Sequence, residues 1–235
     1  MLIKTKAIVI RSVKYQDKSL IVKCFTLFGG MKSYFVRNAF SSSKSSVKKS
    51  AYFQPLNILE IEINDKQKNT LGFFYNIKPF VYKSIYEDTI KSSVVLFLAE
   101  ILNFSIKEEE ENENLFFFIE NALLWLDSNE VTANFHLSFL IELTKFLGFY
   151  PRVSNGIFFE LSQGVFSDSL SKNCINQEES LLLKNCLNQK IYSLENPFSN
   201  VQRRKLLEII MQYYALHIDM FRKPKSLEVF KEIFS

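Results

Sequence analysis

The sequence predicts an α+β chain in two parts: a five-stranded closed β-barrel over residues 1–80, then an all-α helical domain over residues 81–235. Three observations carry this. Five strand-like segments follow one another in the first part with no helical period between them. Beyond residue 80 the apolar residues recur at helical spacing instead. The charge divides at the same place: residues 1–80 hold 14 Lys/Arg against 4 Asp/Glu, and residues 81–235 hold 15 against 21.

The first strand covers 2–11 and ends in the β-branched run Ala7–Ile10. A polar connection, Val13–Ser19, leads to the second strand, Leu20–Phe28. Gly29-Gly30 supplies a hairpin turn, because glycine accepts positive φ without cost. The third strand, Met31–Arg37, places Tyr34 and Val36 on one face and Ser33, Phe35 and Arg37 on the other. Asn38 tolerates a left-handed backbone, so a bend is expected there. Ser41–Ser50 is rich in Ser and Lys and should be mobile, ordering only on a ligand. The fourth strand is Tyr52–Ile63, with Pro55 marking an edge or bulge. A turn at Asn64–Asn69 precedes the fifth, Thr70–Pro79. Five short strands in this span fit a small closed barrel of the OB type.

Helices are expected at Ile85–Ile106, Leu115–Leu126, Val131–Leu147, Gln177–Leu187, Val201–Phe221 and Leu227–Phe234. Glu108–Glu111 reads as a solvated face or a helix start. The third helix is apolar nearly all round, which marks a buried hub. Gly148 and Pro151 end it. The segment 150–176 is irregular.

Composition bounds the function. The chain has 235 residues and is 47% hydrophobic, enough for a sizeable core. No apolar run approaches the roughly 20 residues of a membrane span, and no membrane partner is expected. The N-terminus lacks the h-region and cleavage site of a secretory signal. Cys24, Cys174 and Cys186 form no pairable set, so a reduced, cytoplasmic protein is expected. His136 and His217 fall on different helices. No phosphate-binding loop, nucleophile elbow or zinc-protease motif occurs. No catalytic residue, cofactor or metal is expected, and the chain reads as not an enzyme.

The stretch Ile21–Ser50 carries cations with no acidic residue among them. Lys14, Lys18, Lys23, Lys32, Arg37, Lys44, Lys48 and Lys49 are the candidate DNA-binding set, because Lys and Arg neutralise phosphates and release counterions. Tyr34, Phe35 and Phe40 are interleaved with them and offer stacking faces. The alternative is that the rings fill the barrel and the lysines only keep it soluble. Arg37 stands out, since its planar fork engages phosphate bidentately.

Several separated features resemble one family. Tyr15-x-Asp17-x-Ser19-Leu20-Ile21-Val22, Phe25-Thr26, Gly29-Gly30, Val36-Arg37-Asn38-Ala39 with its Lys/Ser loop, and Gln54-Pro55 are similar to the barrel of the RecO recombination mediators. So, in the helical part, are Leu98-Ala99-Glu100-Ile101-Leu102, Phe135-x-Leu137, Leu147-Gly148-Phe149-x-Pro151 and Lys225-Ser226-Leu227-Glu228. The ordered series spans nearly the whole chain.

The resemblance implies an N-terminal OB-fold and a helical domain. It implies a mediator of DNA repair and homologous recombination, associated with the nucleoid. Such a protein binds single- and double-stranded DNA and anneals strands. It acts with a RecR-type partner to load recombinase onto DNA coated by single-strand-binding protein, whose C-terminal tail the helical domain grips. The residues proposed for partner contact are Phe135, Phe139, Leu143, Lys145, Arg203 and Arg204. The stripe Phe135/Phe139/Leu143 also reads as core. Arg203-Arg204-Lys205 reads evenly as functional, extending the DNA track or pinning an acidic partner tail, or as structural, pairing with Glu195 or the acidic face.

Three departures stand out. Many members carry a four-cysteine zinc module after the Gly-aromatic-x-Pro segment, whereas this chain offers only Cys174 and Cys186 there. Four tetrahedral ligands cannot be assembled from that. Packing through Phe158, Phe159 and Phe166 is expected instead. Asn38 stands where the family often has Gly, and Asn134 where a basic residue often precedes the aromatic. A second reading remains, a non-catalytic protein-interaction adaptor whose barrel binds no nucleic acid.

Overall fold

In the computed structural model, residues 2–40, 49–64, 71–107, 110–130 and 133–233 are described. The chain divides into two compact units, Met1–Ser128 and Asn129–Ser235. The division falls two helices beyond the change from strand to helix.

The first unit is built on strand β1 (Leu2–Tyr15), whose residues Ala7–Ile10 are all buried. Ala7 and Val9 belong to the barrel interior, while Ile8 and Ile10 are buried outside it and α1 (Thr89–Ser105) packs on this strand. Burial on both faces explains an unbroken apolar run where alternation would otherwise be expected. β1 pairs with β4 (Ile58–Asn64) through its first half and with β2 (Ser19–Thr26) through its second. A bulge between Val9 and Arg11 bends the strand between these two neighbours.

β3 (Gly30–Val36) and β5 (Gly72–Pro79) complete a closed barrel of order β1-β2-β3-β5-β4. Closure is by the parallel pairs Tyr34↔Gly72 and Phe35↔Phe73. Inside, Tyr34 stacks on Phe74 with centroids 4.3 Å apart, and Phe53 lies 5.7 Å from Phe74. A Cβ at position 72 would sit 2.9 Å from the Tyr34 ring, so glycine is needed at the seam.

The strand expected from Tyr52 starts later. Lys49–Phe53 is a 3-10 turn and Leu56 has φ 58°, so regular pairing cannot begin before Ile58. The bulge holds this segment: Leu56 N donates to Val9 O at 2.7 Å, and Val9 N to Asn57 O at 2.9 Å. Pro55 therefore lies before the strand rather than on its edge. Conversely, Val13–Tyr15, expected as a polar connection, continues β1.

α1 starts at Asp88, whose side chain accepts from Ile90 N and Lys91 N. Asp127 sits in the last turn of α2 (Glu113–Ser128). Its carboxylate accepts from Lys83 N and Ser84 N at 2.9 Å and from Ile85 N at 3.2 Å, tying the post-barrel connection to this helix. Burial opposes the charge on Asp127, but these backbone donors outweigh it and hold the carboxyl below its ordinary value.

In the second unit, α3 (Phe135–Phe146) is buried along nearly all its faces, as its all-round apolar pattern predicts. Gly148 follows it at φ 84°. α4 (Gln177–Leu187) and α5 (Asn200–His217) each open with a complete capping box, Asn176/Glu179 and Ser199/Gln202. α5 is fixed by its tyrosines: Tyr214 donates to Leu140 O at 2.7 Å and Tyr213 to Phe149 O at 2.6 Å. A short helix, α6 (Leu227–Ile233), follows.

The segment expected to be irregular contains a two-stranded sheet, β6 (Phe158–Glu160) with β7 (Val165–Ser167). Its register was hidden because each strand has only three residues. Phe159 and Phe166 are buried 4.9 Å apart, and Phe159 meets Tyr213 at 5.6 Å. Glu160 gathers Ser162 Oγ at 2.8 Å and Ser171 Oγ at 2.7 Å, and Cys174 bridges to it as an isolated β partner. Rings and a carboxylate hub thus occupy the stretch where a zinc module would be looked for.

Candidate nucleic-acid interface

The barrel end formed by the β1–β2 turn, the last residues of β3 and the first of β5 gathers four of the eight candidates, Lys14, Lys18, Arg37 and Lys49. The register explains why. Tyr15↔Ser19 closes the first hairpin, Leu20↔Val36 sets the end of β3 beside it, and Phe35↔Phe73 adds β5. Lys14, Lys18 and Arg37 are exposed here. So is Lys49, whose neighbour Ser50 donates to Ala39 O at 3.0 Å and joins the two ends of the Ser/Lys loop. Asn38 makes the bend at φ 54° as expected of it. Lys44 and Lys48, with the loop that carries them, lie outside the described residues.

Alternation decides which rings face outward. Tyr34, proposed as a stacking ring, points into the barrel and is buried. Phe35 points out and touches two rings edge-on, Tyr15 at 5.9 Å and Phe73 at 6.1 Å. Tyr15 and Phe73 are 45% and 46% exposed, too open to be core. Arg37 lies over Phe73, its guanidinium carbon 5.6 Å from the ring centroid, and Lys14 approaches the ring of Phe40 at 6.0 Å. The sequence reading missed Phe73 and Tyr15 as site residues. Their signal was period-two alternation in Gly72–Tyr75, which gains meaning only once β5 pairs with β3.

Two members of the set lie elsewhere. Lys32 pairs with Cys24, four residues down β3 from Val36, about 13 Å along the strand. Lys23 is half-buried and donates to Asn103 Oδ1 on α1 at 3.3 Å. Burial, then the nearby Arg11, lowers its pKa.

Charge pairing separates the barrel's surfaces. On the β1/β4/β5 side, Lys4 pairs with Glu62 at 3.1 Å, Lys78 with Glu60 at 3.5 Å, and Lys6 with Glu120 at 2.8 Å. Among the described residues, no carboxylate lies within ion-pair distance of Lys14, Lys18, Arg37 or Lys49. Lys4, Lys6 and Lys78 are thus neutralised by carboxylates, whereas the four cations at the barrel end have none among the described residues.

In the second unit, Phe135, Phe139 and Leu143 are buried to 1% exposure or less, so they form core and present no surface stripe. Lys145 is held by Glu142 at 2.7 Å and lies over Tyr150 at 4.6 Å. Arg203 is buried and donates to Asn196 Oδ1 at 3.0 Å, to Phe198 O and to Asn200 Oδ1. It therefore closes the start of its own helix. Arg204 is exposed. Lys205 pairs with Glu179 of α4 at 3.1 Å, a structural pairing with the acidic helical part rather than with Glu195. His136 is buried, and His217 Nε2 lies 2.8 Å from Leu161 O. Among the described residues no group of His, Cys, Asp and Glu is placed to hold a metal, and no helix is long and apolar enough to cross a membrane.

A closed five-stranded barrel of this strand order, followed by helices, is an OB-fold protein with a helical part. Two family models match it, described as "Recombination protein O N terminal" over residues 1–80 and "Recombination protein O C terminal" over residues 86–228. The chain is 52% identical over 238 residues to a protein of Flavobacterium johnsoniae and 54% over 241 to one of Flavobacterium psychrophilum. It is 36% identical over 244 residues to one of Bacteroides fragilis. Each comparison covers 100% of both chains, and each relative bears the name DNA repair protein RecO. The chain belongs to the Recombination protein O family.

Proposed function

We propose that this protein is a non-catalytic mediator of DNA repair and homologous recombination. Its barrel end holds the backbone of single- and double-stranded DNA. Neutralising two polyanionic strands on one surface promotes their annealing. With a RecR-type partner, and with the helical unit holding the C-terminal tail of single-strand-binding protein, it helps load recombinase onto coated DNA. Arg204 is the exposed cation retained for that tail.

One observation carries the DNA reading: among the described residues Lys14, Lys18, Arg37 and Lys49 at one barrel end have no carboxylate within ion-pair distance, while Lys4, Lys6 and Lys78 on the other side are paired. Open cations bind phosphate through counterion release, so affinity falls steeply with salt. The test is binding to fluorescent single-stranded DNA across a salt series. A steep linear fall of log affinity with log salt is expected. A flat response, or no binding at low salt, overturns the reading.

A further inference from the structure

The cations explain attraction to any polyanion. They do not explain three rings in edge contact on the outside of a barrel. Exposed aromatic side chains cost free energy when left in water, and Tyr15 and Phe73 are each nearly half exposed. They are not strays from the interior. Tyr34, Phe53 and Phe74 fill the barrel, and Phe74 is the immediate chain neighbour of Phe73. Strand alternation sends Phe73 out because Phe74 goes in, and the Phe35↔Phe73 pairing sets both outward rings side by side. Tyr15 comes from the end of β1, so three separate strands contribute one ring each.

We infer that the Tyr15–Phe35–Phe73 row is a base-stacking subsite, and that it makes the barrel end prefer unpaired nucleotides over duplex. The inference rests on the DNA reading above and deepens it. Every base has a π-face, so a ring row accepts any sequence, but only where bases are free to leave the stack. In a duplex the faces are already covered by neighbouring base pairs. Phosphates are equally available in both forms, so the cations alone do not discriminate this way. Arg37 links the two functions. Its guanidinium lies over Phe73, and a nucleotide carries ring and anion in one unit, matching an aromatic and a guanidinium set side by side. Phe35 is half-buried between the outer two rings and holds their spacing. Tyr15 and Phe73 offer the open faces.

The experiment compares three fluorescent probes at one salt concentration with the full-length protein: a dT 20-mer, a 20-mer of abasic sites with the same phosphates, and a 20-base-pair duplex. The wild-type protein is expected to bind the dT strand about ten-fold or more tightly than the abasic strand, the scale of one stacked base. Phe73→Ala is expected to remove most of that difference, weakening binding of the dT strand far more than binding of the duplex or the abasic strand. Phe73→Tyr, which keeps a ring, restores it. Phe117→Ala, which deletes a similarly exposed ring on α2, has no effect. Circular dichroism checks that each variant is folded. Equal binding of the dT and abasic strands by the wild type overturns the stacking inference and leaves the DNA reading standing. So does a Phe73→Ala loss that is the same for all three probes. Failure of all three probes to bind overturns the DNA reading itself.

Discussion

Arg37 at the end of β3 lies over the ring of Phe73 at the start of β5, 5.6 Å from its centroid. The contact spans the parallel seam that closes the barrel, next to the pair Phe35↔Phe73. It holds an exposed guanidinium in place, with no carboxylate among the described residues within ion-pair distance to neutralise it. A cation fixed by a ring keeps its charge available, whereas one fixed by Glu or Asp does not. This separates Arg37 from Lys78, which Glu60 holds.

Arg37→Ala should therefore weaken DNA binding several-fold at low salt. It should also reduce the slope of log affinity against log salt by about 1, the signature of one lost phosphate contact. Arg37→Lys keeps the charge and should keep the slope. Lys4→Ala, which removes a cation already paired with Glu62, should change neither quantity. Fluorescence anisotropy across salt concentrations measures all three.

How much of this was legible in the sequence differs by element. Local signals placed β2, β3, the Gly29-Gly30 turn and the Asn38 bend, because each rests on the conformational preference of a few adjacent residues. They failed at Tyr52–Asn57, where Leu56 takes positive φ and bonds to Val9, more than forty residues away. The cations of the site were legible as a run without acids. The ring row was not, because the outward facing of Phe73 depends on a β3–β5 pairing that no local period encodes. For Phe135, Phe139 and Leu143 the all-round apolar pattern already implied burial, and that implication, rather than a docking stripe, describes the helix.

Gly72→Ala should destabilise the barrel. The new methyl would meet the Tyr34 ring at 2.9 Å, and that ring cannot retreat, since it stacks on Phe74 at 4.3 Å. Overpacking of this kind costs about 1–3 kcal/mol. Each kcal/mol lowers Tm by roughly 2–4 °C in a chain of this size. The same change tilts Phe73, so DNA affinity should fall with it. Thermal unfolding followed by circular dichroism gives the first quantity. An unchanged Tm would mean that the seam has slack at position 72.

Asp127→Asn should loosen the connection between barrel and helices. The carboxylate accepts from three backbone N–H groups at Lys83, Ser84 and Ile85. Bonds to a charged acceptor contribute about 1.5–3 kcal/mol each when lost outright, and the amide retains part of this. The sign with pH follows from the depressed carboxyl value. Its stabilisation is complete above the ordinary 3.8 and drains as pH falls through the lower folded value. The Tm gap between wild type and variant should thus be widest at neutral pH and narrow below pH 3.8. A gap that stays constant to lower pH would assign the effect to packing instead.

His136 acts in a different pH window. It is buried in α3 with its ring 4.7 Å from Phe230. Burial, reinforced by the positive Arg203 nearby, depresses its pKa from 6.5 to about 3. The folded state therefore keeps the imidazole neutral while the unfolded chain takes up a proton below 6.5. Between those two values the unfolded state binds more protons, so stability falls as pH is lowered from 6.5 toward 3. The total change is a few kcal/mol. His136→Leu keeps an apolar side chain beside Phe230 and cannot be protonated. It should flatten the stability profile between pH 4 and 6.5. Urea unfolding at about half-unit pH steps, fitted by linear extrapolation, compares the two profiles. The slope difference should vanish above pH 6.5, where both proteins carry the same charge at this position. If the wild-type profile is as flat as the variant's through that window, His136 is not held neutral in the fold.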